Sequence, residues 1–183
     1  MTWEMIRITG LLALGLLTVS VVLGILGPAI RRPTGRLTSV SAHLTAAVGG
    51  TVLVIAHVVF AVLDNWVSVP AAATVVPFAS SWQPLWVGVG TIAFDLMLVI
   101  AATSALRQQA PSLWWRAHVL AYPVWLLVWI HALTIGTDAG TSLMVVMAAI
   151  SGALVAAAAV IRLMAPPRPV GVKPAPQTVE AMQ

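Results

Sequence analysis

Five apolar stretches set the fold of this chain, at about residues 8–30, 40–63, 85–106, 113–135 and 141–164. Each reaches the roughly 20 residues that a helix needs to cross a bilayer core about 30 Å thick. The reading is an all-α membrane protein, a bundle of five transmembrane helices in the cell membrane. Composition agrees. Hydrophobic residues make up 60% of the sequence and charged residues 8%, against about a half and a quarter in a soluble domain. Its solvent is lipid.

The connectors carry residues that end helices: Gly27-Pro28, Pro33 with Gly35, Pro70, Pro77, Pro84 and Pro111. Arg31, Arg32, Arg36, Arg107, Arg116, Arg162, Arg168 and Lys173 all fall on one side of the bundle, leaving Arg7 on the other. Positive residues favour the cytoplasmic face, so the N-terminus is expected outside and the C-terminus in the cytoplasm. The first stretch lacks a basic leader and a small-residue cleavage site and is expected to be a retained helix. Residues 1–164 then form the transmembrane domain. Residues 165–183, rich in proline and poor in apolar side chains, are expected to form a disordered cytoplasmic tail. Between the second and third stretches, residues 65–82 are too polar to span. Trp66, Val75, Val76, Phe78 and Trp82 suit the headgroup level, where the segment would cap the outer end.

Whole classes of chemistry are excluded. The sequence has no cysteine, which removes disulfides, thiolate metal sites, cysteine-ligated iron–sulfur clusters and thioether-attached haem. The net charge of +4 is scattered between apolar segments and forms no basic face, so a membrane surface is the expected partner and nucleic acid is not.

Ionisable groups are costly inside a membrane and mark functional sites, and here the four histidines all lie in two apolar stretches. His43 and His57 are fourteen residues apart on the second, and His118 and His131 thirteen apart on the fourth. At about 1.5 Å per residue each pair spans roughly 20 Å. Both stretches run in the same direction, so His43 and His118 share one level and His57 and His131 another. Two bis-histidine haems need this arrangement. One zinc ion cannot use it, because ligands about 20 Å apart do not meet. Interhelical hydrogen bonds or a proton path are the alternatives; four residues at paired depths favour haem.

Helical phase raises one difficulty. Fourteen steps of about 100° return His57 to within roughly 40° of the His43 face, whereas thirteen carry His131 toward the face opposite His118. Pro123 lies between these two, where it removes a backbone hydrogen bond and can rewind the helix. Gly50 is seven residues from both His43 and His57. It either leaves room for a macrocycle or serves close helix packing.

Other residues have more than one reading. Arg31, Arg32, Arg36 and Arg116 are topology signals, and Arg116, two residues before His118, is the preferred partner for a haem propionate. Arg7 is a candidate for an outer propionate or an anionic substrate, or else a snorkelling arginine. Asp95, near the middle of the third stretch, fits a proton relay, a haem-pocket contact or a helix-to-helix hydrogen bond. Trp114 and Trp115 fit interface anchoring, while Trp125 packs on a porphyrin or faces lipid.

On the histidine spacings of fourteen and thirteen, together with Ile8-Thr9-Gly10-Leu11, Pro84-Leu85-Trp86 and Gly136-Thr137-Asp138, the sequence resembles the ferric reductase-like transmembrane domain family. That family includes the membrane cores of NADPH oxidases and the haem-binding subunit of a bacterial methionine sulfoxide reductase system. The likeness is to bacterial, membrane-only members and covers roughly residues 5 to 140. It implies two haem b groups, His43 with His118 toward the cytoplasm and His57 with His131 toward the outside, passing single electrons through the membrane.

The chain departs from oxidases and flavin-bearing reductases by carrying no Gly-rich dinucleotide fingerprint after a strand. The expected role is therefore the electron-transfer subunit of an oxidoreductase, with a separate cytoplasmic flavoprotein or quinol as donor and an extracytoplasmic redox protein or small molecule as acceptor. Flavin binding has no support in the sequence. Two alternatives stand beside it: a quinol-oxidising cytochrome b, which has similar histidine spacing, and a haem-free membrane scaffold or proton-linked transporter.

Overall fold

The computed structural model describes residues 2–30, 33–66, 69–135 and 137–166. Arg31, Arg32, Gly136, Arg168, Lys173 and the expected tail beyond Pro166 lie outside the described residues.

The five apolar stretches form helices, the fourth in two pieces: α1 (Thr2–Leu26), α2 (Pro33–Leu63), α3 (Pro84–Ala105), α4 (Pro111–His118), α5 (Ala121–Thr134) and α6 (Ser142–Met164). Among the described residues five segments are long and apolar enough to cross a membrane, with Pro111–Thr134 counted as one. The chain is a multi-pass membrane protein. Helices are the outcome because hydrocarbon offers no water to backbone N–H and C=O groups, which must bond within the segment. Hydroxyls obey the same rule: Thr9, Thr51, Thr103 and Thr134 each donate to the carbonyl four residues earlier.

Proline sets the helix starts, at the head of α3 and of α4, where its missing N–H belongs to the first turn and has no helical partner to lose. At α6 the Thr141 hydroxyl accepts from the Met144 amide, 3.4 Å away. α1 and α2 begin several residues earlier than the apolar run alone indicates, at Thr2 and Pro33. The polar residues of those first turns lie at the ends of the bundle.

α1 is the central helix, packed most extensively on α2 and also on α6 and α5, while α3 packs on α5 and α4. Between α2 and the α4–α5 pair there is no comparable backbone contact among the described residues. The histidine-bearing helices thus stand apart, each braced by a histidine-free one. Trp129, Leu14 and Met144 make a buried cluster where α5, α1 and α6 meet. Beside it the Trp125 indole donates to the Thr18 hydroxyl at 3.1 Å. The outward faces remain apolar, with Val48, Val52 and Val59 on α2 and Val146, Ile150 and Leu154 on α6 all exposed. Apolar patches of that size suit lipid.

The segment between α2 and α3 folds over one end of the bundle. Val69 and Ala73 are buried against Trp3, Trp82 and Val87, and the Thr91 hydroxyl donates to the Ala73 carbonyl at 2.7 Å. Trp66 stays 92% exposed. This capped end carries the start of α1; Arg36, Arg107, Arg116 and Arg162 mark the opposite, basic end.

Candidate functional site

The four histidines meet in two cross-helix pairs. At the basic end His43 of α2 faces His118 of α4, with ring centroids 6.0 Å apart and planes at 71°. Toward the capped end His57 of α2 faces His131 of α5, at 6.4 Å and 87°.

The break between α4 and α5 lets both pairs form. Pro123 has no N–H to offer the Val119 carbonyl, and the Tyr122 amide takes that carbonyl instead at 3.3 Å. The Leu120 amide likewise reaches back three residues, to Ala117 at 3.0 Å. Bonds of this kind wind the chain by about 120° per residue in place of about 100°. Thirteen ordinary steps fall about 140° short of four full turns. Tighter winding advances the phase in the required sense.

Three of the imidazoles are locked by a neighbouring helix backbone. Nδ1–H of His43 donates to the Ser20 carbonyl at 2.8 Å, that of His57 to Ile6 at 2.9 Å, and that of His131 to Trp86 at 2.8 Å. The Nδ1 of His118 is buried without a partner among the described residues, its ring 5.2 Å from that of Trp114. Among the described residues no Nε2 atom is engaged in a hydrogen bond, so the nitrogen suited to ligate a metal is free in each pair.

The donor set fits a haem. Imidazole nitrogens bind metals at about 2 Å, so two rings on opposite sides of one iron have centroids roughly 6 Å apart, as both pairs do. Among the described residues no three His, Asp or Glu side chains come together to hold a metal ion. Histidines in twos suit an iron whose other four positions are filled by a macrocycle.

A cavity of about 220 Å³ opens beside the second pair, lined by His57, His131, Gly10, Gly90, Thr91 and Phe94 among others. Its walls are almost wholly apolar. The polar exceptions gather at the capped end, where Arg7 grips Asp138 through Nε to Oδ2 at 2.6 Å and Nη2 to Oδ1 at 2.8 Å, with Glu4 at 3.4 Å from Nη1.

Gly50 is buried against α1, where an added Cβ would lie 3.1 Å from Leu17, so its missing side chain serves close helix packing. Arg7 sits at the cavity, already paired with Asp138, so its charge is matched within the chain. Arg116 is exposed and makes no ion pair among the described residues. Asp95 is half-buried and makes no hydrogen bond there either. Trp125 does not point freely to lipid: its indole N–H is bound to Thr18 and it packs beside the Leu14, Trp129 and Met144 cluster. Sequence reasoning missed the glycines facing the imidazoles, Gly10, Gly24 and Gly90. The available signal was that Gly10 and Gly24 repeat the fourteen-residue spacing of His43 and His57.

No curated protein and no solved structure matches the chain. A family model described as ferric reductase like transmembrane component matches residues 9–129, a stretch that holds His43, His57 and His118 and stops two residues before His131. Matched by that model over most of its length, this five-span apolar bundle belongs to the ferric reductase-like transmembrane component family, the membrane component of an oxidoreductase, a membership that implies electron transfer across the bilayer by way of haem.

Proposed function

We propose that this protein is a di-haem cytochrome b subunit. His43 and His118 would hold one haem and His57 and His131 the other. The observation that carries the reading is the meeting of both histidine pairs at two depths, with Nε2 unengaged on every ring among the described residues. The haems, when bound, supply one-electron carriers at those two depths. The chain does the rest: Nε2 atoms ligate, Nδ1–H bonds orient three of the rings, and apolar walls exclude water and tune potential.

The positive residues at the basic end support a cytoplasmic placement for that end, hence an N-terminus outside. Electrons then enter at the His43–His118 level from a separate flavoprotein reductase or from quinol. They leave at the His57–His131 level to an extracytoplasmic redox protein or small acceptor.

A dithionite-reduced minus oxidised spectrum of the detergent-purified protein, with pyridine haemochrome quantification, tests the proposal. Two b haems per chain is the expected result. Colourless, well-folded protein from haem-replete cells overturns it and favours the scaffold or transporter reading.

A further inference from the structure

Three of the four histidines meet a glycine in the same way. Nδ1–H of His57 bonds the Ile6 carbonyl and the ring lies on Gly10; His43 bonds Ser20 and lies on Gly24; His131 bonds Trp86 and lies on Gly90. Each time the glycine stands four residues after the accepting carbonyl. In a helix that carbonyl already accepts from the amide four residues on, which is the glycine's own. A side chain at that position would cover the carbonyl's outer side, because side chains lean back toward the helix N-terminus. Without one, the carbonyl keeps a lone pair open to a second donor.

The contact distances grade the three positions. An added Cβ at Gly90 would lie 2.6 Å from both Cε1 and Nδ1 of His131, so the ring would have to move. At Gly10 the nearest approach is 3.1 Å, to His57 Nδ1, and at Gly24 it is 3.3 Å, to His43 Cε1. Gly15, on the same helix as Gly10 and Gly24, has nothing within 4 Å of such a Cβ. The feature belongs to the histidine contacts and is not general to glycines in these helices.

We infer that Gly10, Gly24 and Gly90 are positioning residues, backbone notches that seat an imidazole, hold its Nδ1 proton on a helix carbonyl and so present Nε2 as the ligating nitrogen in a fixed ring plane. The inference rests on the haem reading above. His118 is the exception. Fourteen residues beyond Gly90, α3 carries Ser104, which has a side chain, and His118 Nδ1 has no acceptor among the described residues. The His57–His131 level is therefore seated by two notches and the His43–His118 level by one. With haem bound, imidazole planes at 71° and 87° would give a strongly anisotropic low-spin ferric EPR signal, whose position would follow the angle between the rings.

The test uses full-length protein with Gly90→Ala, Gly10→Ala and Gly24→Ala, beside Gly15→Ala as the open-space control. Gly49→Ala is the packing control, since its Cβ would lie 3.1 Å from Leu16 and touch no histidine. The readouts are haem per chain, the EPR signal and midpoint potential of each haem, and the thermal midpoint. Gly90→Ala is expected to bring haem per chain from two toward one by loss of the His57–His131 haem. Gly10→Ala shifts the signal and potential of that same haem, and Gly24→Ala those of the other. Gly49→Ala lowers the thermal midpoint and moves neither signal, and Gly15→Ala changes nothing. If Gly90→Ala does not accumulate, the two milder variants decide. Two haems in the wild type, with signals and potentials unchanged in Gly10→Ala and Gly24→Ala, overturn the inference alone. Absence of haem from the wild type overturns the haem reading and the inference together.

Discussion

Arg7 and Asp138, 131 positions apart, join the start of α1 to the turn before α6 through two parallel hydrogen bonds of 2.6 and 2.8 Å. Their side chains are 36% and 27% exposed, so solvent and salt screen the pair and its net worth is small. Asp138→Ala and Arg7→Ala are each expected to lower the thermal midpoint in detergent at low ionic strength, with a smaller loss at high salt. A double-mutant cycle that returned no coupling energy would show that the two residues do not hold this end together.

Replacing histidines singly separates the two levels. His57→Ala or His131→Ala is expected to halve the pyridine haemochrome yield and leave one b haem, and His43→Ala or His118→Ala to remove the other. His57→Ala combined with His43→Ala then leaves none. A single replacement that abolished both haems in folded protein would contradict two independent sites.

Pro123 is expected to be needed for the register of α4 against α5. With alanine there, the amide can bond the Val119 carbonyl and wind the segment as one ordinary helix, separating His118 and His131 by about 140° around its axis. Haem per chain falls in Pro123→Ala although no ligand has changed. Full occupancy in that variant would assign the register to packing against α3 and α1 alone.

Gly88 carries the end cap. A Cβ there would run into the Phe78 ring and come within 2.8 Å of the Phe78 amide nitrogen. Phe78 itself sits at φ 68°, where non-glycine residues are strained. Gly88→Ala is expected to cost about 1–3 kcal/mol, as overpacking does. Limited proteolysis should then cut the loop between α2 and α3 faster than in the wild type.

The spans were legible because hydrocarbon leaves a long apolar segment one way to satisfy its backbone, and the histidines stood out because few ionisable groups are placed in lipid without a use. Their pairing was legible in depth but not in direction. Residue count gives height along a helix directly, whereas facing depends on winding, and near Pro123 the winding departs from the ideal. Gly50 shows the limit from the other side. Its spacing put it midway between the histidines, but which side of α2 faces α1 is settled by packing, and Gly50 lies on that side with Leu16 and Leu17.

By itself the sequence determined five spans, two histidine levels and a chain without thiol chemistry, since all three follow from residue type and count along the chain. Only the tertiary structure decided that α1 and α3 brace the histidine helices, that Gly10, Gly24 and Gly90 lie under the imidazoles, and that Arg7 finds Asp138. These are contacts between segments far apart in sequence. Their partners are chosen by helix rotation and close packing, which no local pattern of residues records.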